Sequence, residues 1–226
     1  MPIYNAQILQ IDPVETRRYA GLRKAKNFNE ENIIDACEDA RLLIDVRGIW
    51  NIYDYDCKNH VVCAEPKFKI IGNSINKHLN GCDKVICLAA TIGEAIEQEI
   101  TNRFKNGQYV SSMLLDAAAT CAVEQAADAM EKAIAQKVNR EGYTMKWRFS
   151  PGYGDWDLTQ QAELFRISCA GEIGIKLTDA MMMIPRKSIT AIIGLIKNEF
   201  ANKNSCTIKS HDCSRCNKLD CAMRNI

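Results

Sequence analysis

The segment from Tyr109 to Arg140 constrains the fold of this chain more than any other, because its pattern predicts one long, unbroken helix. The middle of the segment, DAAATCAVEQAADA, is dominated by alanine. Alanine side chains are small enough to let a neighbouring backbone pack very close to the helix. We therefore expect other elements to pack tightly along it.

Glu124 is the residue that interrupts this alanine-rich stretch. Its neighbours at helical spacing are Ala117, Thr120, Cys121 and Ala127, so the carboxylate is predicted to project from a face of small residues. One interpretation is a solvated glutamate on an amphipathic helix. The other is a carboxylate aimed into a ligand cleft, and the helix pattern alone leaves both open.

Helices and strands mix irregularly in the rest of the chain. Two helices are predicted near the start of the chain. The first has Asp12 as N-cap, Pro13 at its first position and Glu15 as capping-box partner, and the second begins after Asn29. Further helices are predicted in 74–79, in 91–107 behind a capping box of Thr91 and Glu94, and in 158–169. Strands are predicted in 49–56, 67–71, 84–90, 143–149 and 187–196, with a strand pair or a strand and turn in 172–185. No regular βαβ repeat appears, so we predict an α+β domain around a mostly antiparallel or mixed sheet.

Charge and hydropathy argue against two classes of partner. The chain of 226 residues carries 29 basic and 28 acidic side chains, a net charge of +1, unlike the basic footprint of a nucleic-acid-binding protein. Its first residues resemble no signal peptide, and no apolar run approaches the ~18 residues that span a bilayer. We expect a cytoplasmic protein with no nucleic-acid or membrane partner, built as one domain over 1–200 and a tail over 201–226.

The stretch RFSPGYGDWD (148–157) is typical of neither a helix nor an ordinary strand. Pro151 and Gly152 predict a tight turn that presents backbone N–H and C=O groups, and Arg148 before it supplies a fixed positive charge suited to a carboxylate. Tyr153 and Trp156 add flat aromatic faces. Together these groups suit a small zwitterion joined to a planar ring; the alternative is a structural turn with core aromatics.

The eleven cysteines divide into two groups, and their odd number argues against a secreted disulfide framework. Seven lie in apolar contexts, where a free thiol is usually a small buried hydrophobe: Cys37, Cys57, Cys63, Cys82, Cys87, Cys121 and Cys169. Four crowd the polar C-terminal segment: Cys206, Cys213, Cys216 and Cys221. Their spacing suggests a metal but fits no common pattern well, so an iron–sulfur cluster, a structural zinc and a metal-free or redox-disulfide tail all stay open.

Two segments taken together resemble the activation domain of vitamin B12-dependent methionine synthase. RFSPGYGDWDLTQQAELF contains Arg-x-x-x-Gly-Tyr, the form of that family's S-adenosylmethionine motif, and IGIKLTDAMMMIPRKSITAIIG contains Leu-Thr-x-x-x-x-Met-x-Pro-x-x-Ser. RRYAGLR, LNGCDKVICLAATIG and LLDAAATCAVEQAAD also resemble free-standing bacterial versions of the domain. The resemblance covers about residues 10–197, and the ordered combination is more specific than any one motif.

This resemblance implies a single curved, helmet-like α+β domain that binds S-adenosylmethionine on its concave face. It implies that Arg148 holds the ligand, that Ser150, Gly152 and Tyr153 contact it largely through backbone, and that Glu124 is the helix carboxylate of the site. Tyr153 also matches the residue that approaches the cobalt face of the corrinoid, which makes it the candidate catalytic residue. The family carboxylate from near the domain's N-terminus has no counterpart that the sequence identifies.

The chemistry that the resemblance implies is reactivation of cobalamin. A cobalamin that cycles through Co(I) is occasionally oxidised to inert Co(II), and its recovery needs one electron and the electrophilic methyl group of S-adenosylmethionine. The protein would position sulfonium, methyl and cobalt in line. No Asp-x-His-x-x-Gly corrinoid motif is present, so the cobalamin is expected on a partner methionine synthase or related corrinoid protein.

An electron donor such as flavodoxin or ferredoxin is also expected, and an iron–sulfur cluster in the tail would pass its electron on. The alternative function is a non-catalytic S-adenosylmethionine- or metal-binding adapter that regulates a corrinoid methyltransferase. Both functions predict that the ligand binds. Only the first predicts that methylcobalamin forms.

Overall fold

The computed structural model describes residues 3–5 and 7–198. Its helices are α1 (Pro13–Tyr19), α2 (Glu30–Leu43), α3 (Asn73–His78), α4 (Ala95–Lys105), α5 (Tyr109–Arg140) and α6 (Gln161–Ser168), with short 3-10 turns at Leu158–Gln160 and Ala170–Ile173. Its strands are β1 (Arg47–Asp56), β2 (Val61–Val62), β3 (Phe68–Lys69), β4 (Lys84–Thr91), β5 (Tyr143–Met145), β6 (Lys176–Leu177), β7 (Met183–Ile184) and β8 (Ser188–Lys197).

Six strands form one sheet in the order β3-β2-β1-β4-β8-β5, and each neighbouring pair runs antiparallel. Strands β6 and β7 form a separate two-stranded hairpin. The predicted α+β class with a mostly antiparallel sheet is therefore confirmed.

Strand β4 lies at the centre of the sheet and is buried on both faces, which explains its nearly continuous apolar sequence. Ile86 and Leu88 join a core cluster with Met130 of α5. Val85 and Cys87 point the other way, into a cluster with residues of α3 and α6. Helix α5 therefore covers one face of the sheet, and the shorter helices cover the other.

Helix α5 begins and ends at the predicted residues, and its alanines are used as expected. Ala118 and Ala122 are fully buried in a cluster with apolar residues of α1, α2 and α4. Its C-terminal half packs so closely on β1 that a Cβ added at Gly48 would lie 2.6 Å from Met130 Sδ. One helix thus belongs both to a helical bundle and to the cover of the sheet.

The first helix confirms its predicted N-cap but not its capping box. The Asp12 carboxylate accepts from the backbone N–H groups of Val14 at 2.8 Å and Glu15 at 3.2 Å. The reciprocal bond is absent, because the N–H of Asp12 donates to Gln125 Oε1 at 3.3 Å and Glu15 instead pairs with Arg18. A long-range contact with α5 replaces the local one.

The predicted capping box at Thr91 is wrong, because Thr91 is still part of β4. Its hydroxyl accepts from Ser188 Oγ at 2.9 Å and from the backbone N–H of Gly93 at 3.3 Å. Helix α4 starts later, after Glu94, whose side chain forms no capping bond. The strand predicted over 67–71, which the sequence also suggested as a partner of the strand predicted over 49–56, shrinks to β3 and pairs with β2 instead.

The seven cysteines within the described residues are all free thiols. Four are buried as predicted, and Cys57 and Cys169 are partly buried, but Cys63 is exposed and corrects that expectation. The four tail cysteines lie outside the described residues. Across the described part of the chain, every helix is too short or too polar to cross a membrane.

Candidate functional site

A one-residue bulge turns Arg148 toward α5. Met145 pairs with Leu195 of β8, whereas Phe149 pairs with Ile192, so four residue steps on one chain segment oppose three on the other. The extra residue reverses the alternation of side chains. Met145 faces α5 within β5, but beyond the bulge it is Arg148 that faces α5, while Phe149 enters the core on the opposite face.

Arg148 is held by three carboxylates from one face of α5. Its Nη2 donates to Glu124 at 2.6 Å, and its Nη1 donates to Asp128 at 2.6 Å and to Glu131. The three acids follow one another at i, i+4 and i+7, the spacing that places side chains on one helix face. We call these four residues the Arg148 cluster.

Burial differs sharply within the Arg148 cluster. The side chain of Glu131 is 8% exposed, compared with 37% for Glu124 and 55% for Asp128. Burial raises the pKa of Glu131, and the positive charge of Arg148 opposes that rise. Burial alone would lower the pKa of Arg148, but the charges of Glu131 and Asp128 outweigh it and raise that pKa. The guanidinium is therefore a permanent cation.

The Arg148 cluster carries an excess of negative charge, because one guanidinium faces three carboxylates. The sequence suggested a cation free to meet a ligand carboxylate. The structure shows a cation that already has internal partners, so an incoming carboxylate must share it or replace one of them. The unbalanced acids, in turn, suit a ligand that carries positive charge.

The predicted tight turn is present after Arg148 and is exposed over 152–155, but two of its backbone N–H groups are used within the turn rather than presented to a ligand. The N–H of Gly152 donates to the carbonyl of Trp156 at 2.8 Å, and the N–H of Tyr153 donates to the carbonyl of Ser150 at 3.2 Å. Ser150 Oγ donates to the carbonyl of Thr190 at 2.7 Å, which fixes the turn to β8. Gly152 has φ +91°, a conformation that favours glycine.

Two side chains of the turn, Trp156 and Asp155, hold it against the rest of the domain. Trp156 is 1% exposed, and its Nε1 donates to Gln160 Oε1 at 2.6 Å. The Asp155 carboxylate accepts from the backbone N–H groups of Asn73 and Ser74, both at 2.8 Å, and so caps α3. The expectation that Trp156 offers a flat face to a ligand is wrong, because its indole belongs to the core.

Tyr153 is the aromatic side chain that the turn leaves accessible. It is 55% exposed, and its ring lies edge-on to Phe149 with centroids 6.3 Å apart. Burial of its hydroxyl end raises the pKa of Tyr153; the nearby charge of Glu124 raises it further and that of Arg148 lowers it. The structure thus pairs Glu124 with Arg148 and places Tyr153 within reach of both charges, while Ser150 and Gly152 lie in the turn between Arg148 and Tyr153.

Sequence reasoning missed Asp128 and Glu131, although their spacing from Glu124 was a readable signal. It also missed Tyr19 at the end of α1. Burial raises the pKa of Tyr19, and the nearby charge of Glu124 raises it further. Tyr19 and Thr120 line the near side of an open cavity of about 430 Å³ between α1, α4 and α5. This cavity lies one helical turn from Glu124 along α5.

No metal centre can be assigned in residues 3–5 and 7–198, where no three His, Cys, Asp or Glu side chains are grouped to hold an ion. The four predicted tail ligands fall outside this range, and so the metal prediction stays a prediction. The same holds for the boundary expected at residue 200.

Comparison with known proteins gives one family and one fold. The family described as vitamin B12 dependent methionine synthase, activation domain, matches residues 69–207, more than half of the chain, including the turn and β8. A similar solved structure is described as the crystal structure of the MetH reactivation domain bound to AdoHcy. It has a TM-score of 0.57 and 12% identity over 92% of this chain and 82% of that one. At this identity the likeness shows the fold. A search of curated proteins gave no match.

Proposed function

Because the chain belongs to the family of vitamin B12-dependent methionine synthase activation domains, we propose that it binds S-adenosylmethionine at the Arg148 cluster and supports reductive methylation of a cobalamin on a partner protein. The observation that carries the proposal is the position of Arg148 among Glu124, Asp128 and Glu131, beside the exposed turn at Gly152. The methyl donor and the cobalamin are substrates of this reaction.

The charges of S-adenosylmethionine complement the Arg148 cluster. The ligand carries a sulfonium, an ammonium and a carboxylate, so two of its three charges are positive. The guanidinium can take the carboxylate, while the surplus acids favour the ammonium and the sulfonium. The solved reactivation domain of similar fold was crystallised with AdoHcy, the demethylated form of the same ligand, which supports this choice.

The turn supplies the remaining contacts in this proposal. Gly152 is exposed and has no side chain to block a ligand, so the carbonyls of the turn can accept hydrogen bonds from it, while the N–H of Gly152 stays bonded to Trp156. Tyr153 is exposed above them and is proposed to approach the corrinoid when the partner docks. In the reaction, Co(II) gains one electron, the methyl group leaves the sulfonium for cobalt, and the products are methylcobalamin and S-adenosylhomocysteine.

The partner is proposed to be a corrinoid-bearing methionine synthase or related corrinoid protein, and the electron to come from flavodoxin or ferredoxin. The crowding of Cys206, Cys213, Cys216 and Cys221 in a polar segment is the one feature that supports a cluster there that relays this electron. Iron analysis and visible absorption of anaerobically purified protein test that relay. A preparation with neither stoichiometric iron nor visible absorption contradicts it.

Methylcobalamin formation separates a transferase component from an adapter. The chain is mixed with S-adenosylmethionine, titanium(III) citrate and a cob(II)alamin-loaded methionine synthase that lacks its own activation domain, and absorbance is followed. We expect methylcobalamin to accumulate only when the chain is present. Binding of S-adenosylmethionine without methylcobalamin would favour the adapter function.

Tyr153→Ala tests the role of the exposed ring in the same assay. We expect the rate at saturating S-adenosylmethionine to fall by about tenfold or more, with a small change in the Kd of the ligand, which the turn binds through backbone. Leu42→Ala is the control, since Leu42 is an exposed apolar side chain on α2, outside the candidate site. Equal rates for the two variants would remove Tyr153 from the reaction.

A further inference from the structure

Resting on the proposed function, we infer that Asp128 competes with the ligand carboxylate for Arg148, and that Glu131 is the positioning residue that keeps the guanidinium in place during the exchange. Binding would then be a swap of partners rather than the filling of an empty anion site. The three acids share the two terminal nitrogens of Arg148 unequally.

Two of the acids share one nitrogen. Nη1 of Arg148 donates to both Asp128, at 2.6 Å, and Glu131, whereas Nη2 donates to Glu124 alone, also at 2.6 Å. Nη1 is therefore the crowded end of the guanidinium. A ligand carboxylate that binds across the end of the guanidinium, to Nη1 and Nη2 together, competes with the acids already on Nη1.

Burial decides which acid leaves. The Asp128 side chain is 55% exposed and the Glu131 side chain 8% exposed. The Asp128 carboxylate is already partly hydrated, and it becomes fully hydrated when it leaves Arg148. Ion pairs between exposed groups are also weak. A buried carboxylate that lost its cation would be left uncompensated, at a much larger cost. Asp128 is therefore the exchangeable partner and Glu131 the fixed one.

The swap also keeps charges paired. When the ligand carboxylate takes the place of Asp128 on Nη1, the freed Asp128 carboxylate remains beside Glu124, one helical turn away. These two acids can then face the ligand ammonium. A ligand without a carboxylate gains nothing from the departure of Asp128, and that difference makes the inference testable.

The experiment compares Kd values for S-adenosylmethionine and for decarboxylated S-adenosylmethionine, which keeps the sulfonium and the ammonium. The readout is the ratio of the second Kd to the first, measured by calorimetry on the full chain. In Asp128→Asn we expect this ratio to rise about two- to five-fold, the effect of removing a partly exposed ion pair that competes with the carboxylate. Loss of the negative charge of Asp128 weakens the binding of both ligands alike, so this effect cancels in the ratio.

Two further variants are compared with Asp128→Asn: one is expected to have the opposite effect, and the other is a control. Glu131→Gln should lower the ratio, because a guanidinium that is no longer fixed binds a carboxylate less well. Asp116→Asn makes the same chemical change on the same helix at an acid whose partner is Lys187, at 2.9 Å, and should leave the ratio unchanged. A purely structural role for the acids would alter stability without moving the ratio in opposite directions.

Failure of the inference and failure of the proposed function are distinguishable. If the wild-type chain binds S-adenosylmethionine and Asp128→Asn gives an unchanged or lower ratio, the inference alone is overturned. If the folded wild-type chain binds neither ligand, both are overturned. Should Glu131→Gln fail to fold by circular dichroism, the surface variant Asp128→Asn still decides the question.

Discussion

The Asp155 carboxylate accepts a hydrogen bond of 2.8 Å from the backbone N–H of Ser74 and so ties the turn beside Arg148 to the start of α3. A second bond of 2.8 Å comes from the N–H of Asn73. A residue 81 positions away thus does the work of a local N-cap, since the residue before α3, Gly72, has no side chain to provide one. The shape of the turn and the position of α3 depend on each other.

Asp155→Ala should loosen the turn and lower the thermal midpoint of the chain by a few degrees, because two backbone N–H groups at the start of α3 lose their acceptor. These hydrogen bonds also lower the pKa of Asp155, so its contribution is lost as the pH falls below the usual aspartate range. Differential scanning calorimetry of both proteins measures the shift. An unchanged midpoint would show that α3 starts equally well without this carboxylate.

Gly154→Ala tests the close approach between the turn and α3. Gly154 has φ +57°, and an added Cβ would lie 3.0 Å from both Cβ and Oγ of Ser74. Crowding and left-handed backbone together should cost about 1–2 kcal/mol of unfolding free energy. Chemical denaturation gives the value. Gly171→Ala is the control, since no atom lies within 4 Å of its added Cβ and its φ is ordinary; it should be neutral or slightly stabilising.

His78 should make stability depend on pH. Burial lowers the pKa of His78 to about 4, and its Nε2–H donates to the carbonyl of Trp147 at 2.9 Å. Its ring also lies 4.2 Å from that of Trp147, next to Arg148 in sequence. In the unfolded chain the imidazole takes up a proton near pH 6.5, whereas in the folded chain it resists protonation down to about pH 4.

The unfolded state therefore binds more protons between these two pH values, and stability must fall as the pH drops through that window. We expect a loss of at most about 1 kcal/mol per pH unit from this residue. Urea unfolding of the wild type and of His78→Gln, from pH 4 to pH 7.5, isolates it from the carboxylates that titrate in the same range. Parallel curves for the two proteins would show that His78 is not the source.

Much of the fold could be predicted because its signals are local. Helix α5 was predicted over nearly the range it occupies, since a long run of helix-forming residues needs no distant partner to be recognised. Strands β4 and β8 were found from continuous apolar runs. Strand β2 was missed because two residues carry no periodicity, and Thr91 was misplaced because a threonine hydroxyl can serve a strand pairing as well as a cap.

The candidate site was only partly predictable, for a different reason. Motif residues such as Arg148 and Gly152 stand out in the sequence, but the bulge that aims Arg148 at α5 depends on pairing with β8, which lies some forty residues later. The core position of Trp156 likewise depends on Gln160 and on the packing of α6. The spacing of Asp128 and Glu131 from Glu124 places all three on one helix face, but that they share Arg148 follows only from this strand pairing.

Calorimetric titration of the folded chain with S-adenosylmethionine is the most direct test of the central claim, that Arg148 and its acids form the seat for this ligand. The account predicts one site in the wild type and in Arg41→Ala, an exposed arginine on α2, and loss of binding in Arg148→Ala, with folding of each checked by circular dichroism. Equal affinity in Arg148→Ala and the wild type, or no heat of binding from a folded wild-type chain, would contradict it.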